Sequence, residues 1–189
     1  MNISPTEAEE ALAAIQVMMK KTRRAISSSG AYGFLIVWGV IWLLGFMGSQ
    51  FLPQPFSGYS WMGLDILGGF LSAIIGIRMN RGVRSSSSTA SGKRIAWFWF
   101  LLFIYCFAAI AVAWPSGGKQ ASMFIILFVM LGWLAMGLLL SFTSIWPGLL
   151  ITALALIGYF FLPDIFYLWM AVLGGGGMIA LGLYIRSRW

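Results

Sequence analysis

The sequence predicts an all-α integral membrane protein with six transmembrane helices and an N-terminal amphipathic interfacial helix. Three observations lead to this fold class. The chain of 189 residues is 60% hydrophobic and 9% charged, whereas soluble domains carry about 25% charged residues. Apolar segments of about 20 residues, the length that crosses hydrocarbon about 30 Å thick, recur along the chain. The basic residues also concentrate on one side of these segments, as the positive-inside rule requires.

Residues 1–30 are predicted to form a cytoplasmic amphipathic helix. Ser4, Pro5 and Glu7 occupy the capping, first and third positions of a helix start. Apolar residues then recur at three- and four-residue spacing, which places them on one helical stripe: Leu12, Ile15, Met19, Thr22 and Ile26. Two interpretations remain open. The helix lies on the cytoplasmic leaflet, or it docks onto a cytosolic protein partner or a second copy of the chain.

The predicted transmembrane domain covers residues 31–186. Its six predicted spans, TM1 to TM6, are residues 31–52, 59–77, 95–114, 121–140, 146–162 and 165–185. A basic cytoplasmic loop at 78–94 separates TM2 from TM3. Its run of Ser, Thr and Gly at 85–92 is typical of a flexible linker.

The basic residues predict the orientation. Of the 12 Lys and Arg residues, all but Lys119 lie before TM1, between TM2 and TM3, or after TM6. Both termini are therefore predicted to be cytoplasmic, and the plasma (inner) membrane is the expected location. Bases at this surface are predicted to contact lipid headgroups of the bilayer: Lys20, Lys21, Arg23, Arg24, Arg78, Arg81 and Arg84.

The composition excludes several classes of site. The sequence has no His and a single Cys, Cys106, so His-based zinc or haem ligation, His catalysis and an intrachain disulfide are excluded. Its five carboxylates show no metal-ligand spacing. We therefore predict no catalytic residues, no metal, no cofactor and no enzymatic activity. No basic module outside the membrane supports nucleic-acid binding.

The sequence also contains an internal repeat. Residues 61–78 align without gaps on residues 169–186, so TM1 and TM2 resemble TM5 and TM6 in a parallel hairpin repeat. The identical pairs are Trp61 with Trp169, Met62 with Met170, Gly68 with Gly176, Gly69 with Gly177, Ile77 with Ile185 and Arg78 with Arg186.

Glycines lie near the centre of the second helix in each copy, at 68–69 in TM2 and at 174–177 in TM6. Small residues allow close helix packing, so one interpretation is that TM2 crosses TM6 there. The other is a midplane ligand or ion site of the kind found in transporters. The candidate residues for that site are Asp65, Gly68, Gly69, Gly176, Gly177, Trp42 and Trp133.

Asp65 is the one ionisable residue well inside a predicted span. A carboxylate at that depth costs about 2.5 to 3.5 kcal/mol on insertion scales, so it needs a partner or a function. Because Asp65 precedes Gly68 by three residues, we expect it to point into the bundle. It could bind a cation, a proton or a polar ligand, or it could hydrogen-bond a neighbouring Tyr or Ser or pair with Lys119.

These observations favour a non-enzymatic membrane subunit or scaffold that interacts with a cytosolic or membrane partner, or with copies of itself. The alternative is a small transporter or substrate-binding membrane component with its site near Asp65 and the glycine-rich centres of TM2 and TM6.

Overall fold

The computed structural model describes residues 32–81, 86–140 and 145–188. This part of the chain folds into helices joined by short turns. The helices are α1 (Tyr32–Phe51), α2 (Phe56–Arg81), α3 (Ser86–Ala113), α4 (Gly118–Leu140) and α5 (Trp146–Phe161). A last helical segment follows at 166–188, here named the C-terminal helix. It consists of α6 (Phe166–Trp169), a π-helical turn (Met170–Gly175) and α7 (Gly176–Arg188).

A helix occupies each of the six places where the sequence predicts a span. Within the described residues, five are long and apolar enough to cross a membrane. The other, α5, has 16 residues, about 24 Å at 1.5 Å per residue. The all-helical, multi-pass membrane architecture is thus confirmed. The predicted helix at 1–30 lies outside the described residues, together with Lys20, Lys21, Arg23 and Arg24.

The connection between TM2 and TM3 differs from the prediction of a flexible loop at 78–94. Helix α2 continues to Arg81 and α3 already begins at Ser86. Hydropathy detects the membrane-spanning part of α3, which starts at Lys93. It does not detect a polar extension of the same helix into water.

The described helices pack in a row of neighbours. Helix α1 contacts α2 on one face and the C-terminal helix on another, α5 lies between the C-terminal helix and α4, and α3 packs on α4. The core lies between α1, α4, α5 and the C-terminal helix. Its largest fully buried side chains are Phe166, Ile126 and Met170. Helices α2 and α3 therefore stand at the outside of the bundle.

Glycines bring the backbones of α1 and the C-terminal helix into direct contact. A Cβ atom built on Gly175 would lie 2.5 Å from the backbone nitrogen of Leu43 and 2.8 Å from the carbonyl oxygen of Gly39. A Cβ atom on Gly39 would in turn lie 2.9 Å from the carbonyl oxygen of Gly175. Only glycine fits at these two positions without moving a helix.

The predicted crossing of TM2 with TM6 differs from this packing. Gly68 of α2 faces Ile41 and Trp38 of α1, while Gly174 and Gly175 of the C-terminal helix face a different side of α1. Gly68, Gly174 and Gly175 therefore pack against α1, and the two glycine-containing segments do not pack against each other. Sequence patterns identify a small-residue face but do not identify the helix that covers it.

The C-terminal helix continues through the glycine run at 174–177, but its hydrogen-bond pattern changes locally from α-helical to π-helical. The π-helical turn spans Met170–Gly175, and α-helix resumes at Gly176. The N–H of Gly176 donates to the carbonyl oxygens of Ala171 and Leu173. The first of these is the i to i−5 bond of a π-helix.

Candidate functional site

The glycines proposed for a midplane site do not line a common pocket. Gly68 is buried between α2 and α1. In contrast, a Cβ atom on Gly69, Gly176 or Gly177 would meet no other described residue within 4 Å. These three positions therefore face outward from the chain, two on the C-terminal helix and one on α2.

The two tryptophans of the predicted site lie in different interfaces. Trp42 is buried in the core, with its ring 5.6 Å from that of Phe46, edge to face. A Cβ atom on Gly174 would lie 3.5 Å from the Trp42 ring. Trp133 packs instead between α4 and α5, where its ring faces Gly148. The structure thus brings Trp42 to the glycine run and keeps Trp133 apart from it.

Asp65 is exposed on the outer side of α2. The prediction that it points into the bundle is therefore wrong. The side of α2 that faces α1 carries Ser57, Trp61 and Gly68, and Asp65 lies about 60° from the middle of that side at 100° per residue. Among the described residues Asp65 has no hydrogen bond or ion pair.

Lys119, one of the expected partners of Asp65, binds the turn before α6 instead. The ammonium group of Lys119 donates to the backbone oxygen of Pro163 at 2.8 Å. The amide nitrogen of Gln50 donates to the backbone oxygen of the next residue, Asp164, at 3.3 Å. Lys119 and Gln50 thus tie the turn before α6 to α4 and to α1. We call this end of the bundle, where α1 and α2 are also joined, the Pro163 end.

Serine hydroxyls between α1 and α2 bind tryptophan instead of Asp65. The indole N–H of Trp38 donates to the hydroxyl oxygen of Ser72 at 3.1 Å. The indole N–H of Trp61 donates to the hydroxyl oxygen of Ser49 at 2.8 Å. Sequence reasoning missed these pairs. Their signal is the occurrence of Trp and Ser at helical spacing inside two consecutive spans.

Trp61 and Trp169 make comparable contacts in their own hairpins. Trp61 donates to Ser49 of the preceding helix, and Trp169 donates to the backbone oxygen of Leu154, also in the preceding helix, at 2.9 Å. Each indole lies against a glycine of that helix, Gly45 or Gly158. In both hairpins, then, one tryptophan joins the two helices near the Pro163 end.

Loss of either indole bond is expected to weaken its hairpin. Trp61→Phe and Trp169→Phe should each lower the free energy of unfolding by about 0.6 to 1.7 kcal/mol, the range measured for polar contacts between membrane helices. Unfolding in mixed micelles with increasing SDS measures this loss. Trp114→Phe is the control, because the Trp114 side chain is 83% exposed. Equal stability of all three variants would contradict the assigned role of these bonds.

The predicted headgroup-binding residues are only partly described. Arg78 is exposed at the end of the membrane-spanning part of α2, at the end of the bundle opposite the Pro163 end, and Arg81 ends the helix. Arg84 lies outside the described residues, as do the four N-terminal bases. Contact of these bases with lipid phosphates stays a prediction.

Comparisons with protein-family models, with curated proteins and with solved structures find no match. In the described part of the chain, no group of three His, Cys, Asp or Glu residues could hold a metal ion. Asp65 places one carboxylate, a hydrogen-bond acceptor, on an exposed helix surface inside the predicted span TM2.

Proposed function

We propose that the chain is a non-enzymatic multi-pass membrane subunit or scaffold that binds a membrane or cytosolic partner. One observation carries this proposal: in the membrane-spanning parts of α2 and α3 only 6% of residues are buried within the chain, against 28 to 33% in α1, α4 and the C-terminal helix. Two helices thus leave most of their surface for lipid or for another protein. The carboxylate of Asp65, which has no partner among the described residues, favours a protein, because lipid offers it no stable partner.

The proposal includes the orientation with both termini cytoplasmic in a plasma (inner) membrane. It also includes the parallel hairpin repeat, which is supported by the similar indole contacts of Trp61 and Trp169. In this orientation the bases of the N-terminal segment and of the connection between α2 and α3 face the cytosol. An amphipathic N-terminal helix there could bind a cytosolic partner through its apolar stripe.

Deletion of residues 2–27 tests the cytosolic interaction. We expect the deleted chain to insert and fold, because α1 remains intact, and to lose a cytosolic protein that copurifies with the full chain. A second variant keeps the segment but places two charges on its apolar stripe through Leu12→Glu and Ile15→Glu, and we expect it to lose the same protein. If both variants retain every copurifying protein, the N-terminal segment is not a docking element and this part of the proposal fails.

Orientation can be tested with single cysteines in a Cys106→Ser background. Ser116→Cys lies between α3 and α4, near Lys119, and Ser87→Cys lies at the opposite end of α3. We expect a membrane-impermeant maleimide to label only the first variant in intact cells, and both after permeabilisation. Labelling of Ser87→Cys in intact cells would reverse the proposed orientation.

A small transporter or substrate-binding component is the second candidate, and the π-helical turn at Met170–Gly175 favours it. Such turns occur frequently at functional sites because they alter the local hydrogen-bond pattern. This turn packs closely on α1 through Gly175. Substrate-dependent uptake by the purified chain in liposomes, abolished by Asp65→Asn, would favour this candidate over the subunit.

A further inference from the structure

We propose that the side of α2 that carries Asp65 is a docking surface for a transmembrane helix of a different protein, one with a Lys or Arg side chain at the depth of Asp65. This inference rests on the proposed function and names its membrane contact. The surface, here called the Asp65 face, is formed by Asp65, Gly69 and Gly76 together with the exposed side chains of Met62 and Ala73.

The Asp65 face has the shape of a helix-packing surface. At 100° per residue its five members fall within an 80° sector of α2, next to the side that packs on α1. A Cβ atom on Gly69 or Gly76 would meet no other described residue within 4 Å. A second helix could therefore approach the α2 backbone closely at two levels about 10 Å apart, given the rise of 1.5 Å per residue.

The carboxylate determines the chemistry of the partner. Asp65 lies nine residues after the start of α2 and thirteen before Arg78, about 13 Å and 20 Å along the helix respectively. That depth is within hydrocarbon, where a charged group is stable when it is paired with an opposite charge. A Lys or Arg on an adjacent helix supplies that charge and also donates hydrogen bonds to the carboxylate.

Residues 32–81, 86–140 and 145–188 do not supply this base. Lys119 is bound to the backbone oxygen of Pro163. The other bases in the described part of the chain lie at the opposite end of the bundle, where Gly33 near the start of α1 packs on Ile75 near the end of α2. A second copy would present the same side chains, and its Asp65 would add a like charge at the same depth. The occupant that fits is thus a different protein.

Site-specific photocrosslinking in the native membrane tests this proposal on the full chain. A photoreactive phenylalanine analogue replaces Met62, on the Asp65 face, or Leu67, which is also exposed but lies about 140° around the helix. We expect the probe at Met62 to form one discrete protein adduct and the probe at Leu67 to react with lipid. Mass spectrometry of the adduct should identify a transmembrane segment of another protein with a Lys or Arg.

Variants then test the two features of the face. Asp65→Leu should reduce the adduct yield at least about fivefold, as expected for loss of a polar contact between helices. Gly69→Leu should also reduce it by blocking close approach. Gly63→Leu is the matched control, since Gly63 is equally open but lies about 120° away from Gly69. Reversal of both charges, with Asp65→Lys and the partner base changed to Asp, should restore the adduct.

Three results would overturn the inference: an adduct with a second copy of this chain, a partner segment without a base, or a yield unchanged by Asp65→Leu. Exclusive reaction with lipid at Met62 would also overturn it. None of these results would remove a cytosolic protein that depends on residues 2–27. Failure of the docking surface can therefore be distinguished from failure of the proposed subunit function.

Discussion

Gly175→Ala is expected to lower the free energy of unfolding by about 3 kcal/mol, at the upper end of the range for overpacked interiors. The added methyl group would lie 2.5 Å from the backbone nitrogen of Leu43 and 2.8 Å from the carbonyl oxygen of Gly39. Backbone atoms cannot rotate away as a side chain does, so α1 and the C-terminal helix must separate. The shift in the SDS unfolding midpoint measures the effect.

Gly177→Ala is the matched control for this prediction. Gly177 belongs to the same glycine run, but a Cβ atom there meets no other described residue within 4 Å. Alanine favours helix over glycine by about 1 kcal/mol in water, so we expect unchanged or slightly increased stability. Equal destabilisation by both substitutions would show that the run is needed for helix flexibility and not for contact with α1.

Phe166→Ala is expected to cost about 3 kcal/mol, the lower end of the range for removal of a buried Phe. Phe166 is fully buried at the start of the C-terminal helix. Its ring packs edge to face with those of Tyr159 and Tyr167, at centroid distances of 6.0 and 5.4 Å. Because detergent or lipid would not fill the closed cavity left behind, the lost contacts would not be replaced.

Phe160→Ala provides the comparison for Phe166→Ala. The Phe160 side chain is 69% exposed, and in a membrane or micelle this exposed ring contacts apolar chains in the folded and unfolded states alike. We expect a change below about 0.5 kcal/mol, as for other surface substitutions. Similar losses for the two variants would mean that burial of Phe166 in the core does not stabilise the fold.

The positions of the helices could be predicted from sequence because the signal is strong and local. A run of about 20 apolar residues has few alternatives to a spanning helix, and the start of α5 at Trp146 matches the predicted start of TM5. The end of α2 and the start of α3 are harder to predict, since polar residues such as Ser86 continue the helix beyond the apolar run. Hydropathy does not report such extensions.

The neighbours of each helix could not be predicted in the same way. Gly175 and Gly177 belong to the same run of glycines, so the sequence does not distinguish them. In the structure Gly175 touches α1 and Gly177 faces outward. The sequence predicts an interior position for Asp65 because Gly68, three residues later, is expected to face TM6. Once α1 takes that place, Asp65 lies to one side of the contact. Choice of neighbour depends on the whole bundle, and a single sequence does not encode it locally.

The row of helices imposes an order on biogenesis. Helix α1 emerges from the ribosome before the other described helices, but the helix that covers its Gly39 side is the last to emerge. Chains are made at about 5 to 20 residues per second, so α1 must wait several seconds in the bilayer with that glycine side facing lipid. Until the C-terminal helix has been made, the hairpin of α1 and α2 has no firm attachment to α3, α4 and α5. The C-terminal helix therefore joins two halves already resident in the membrane.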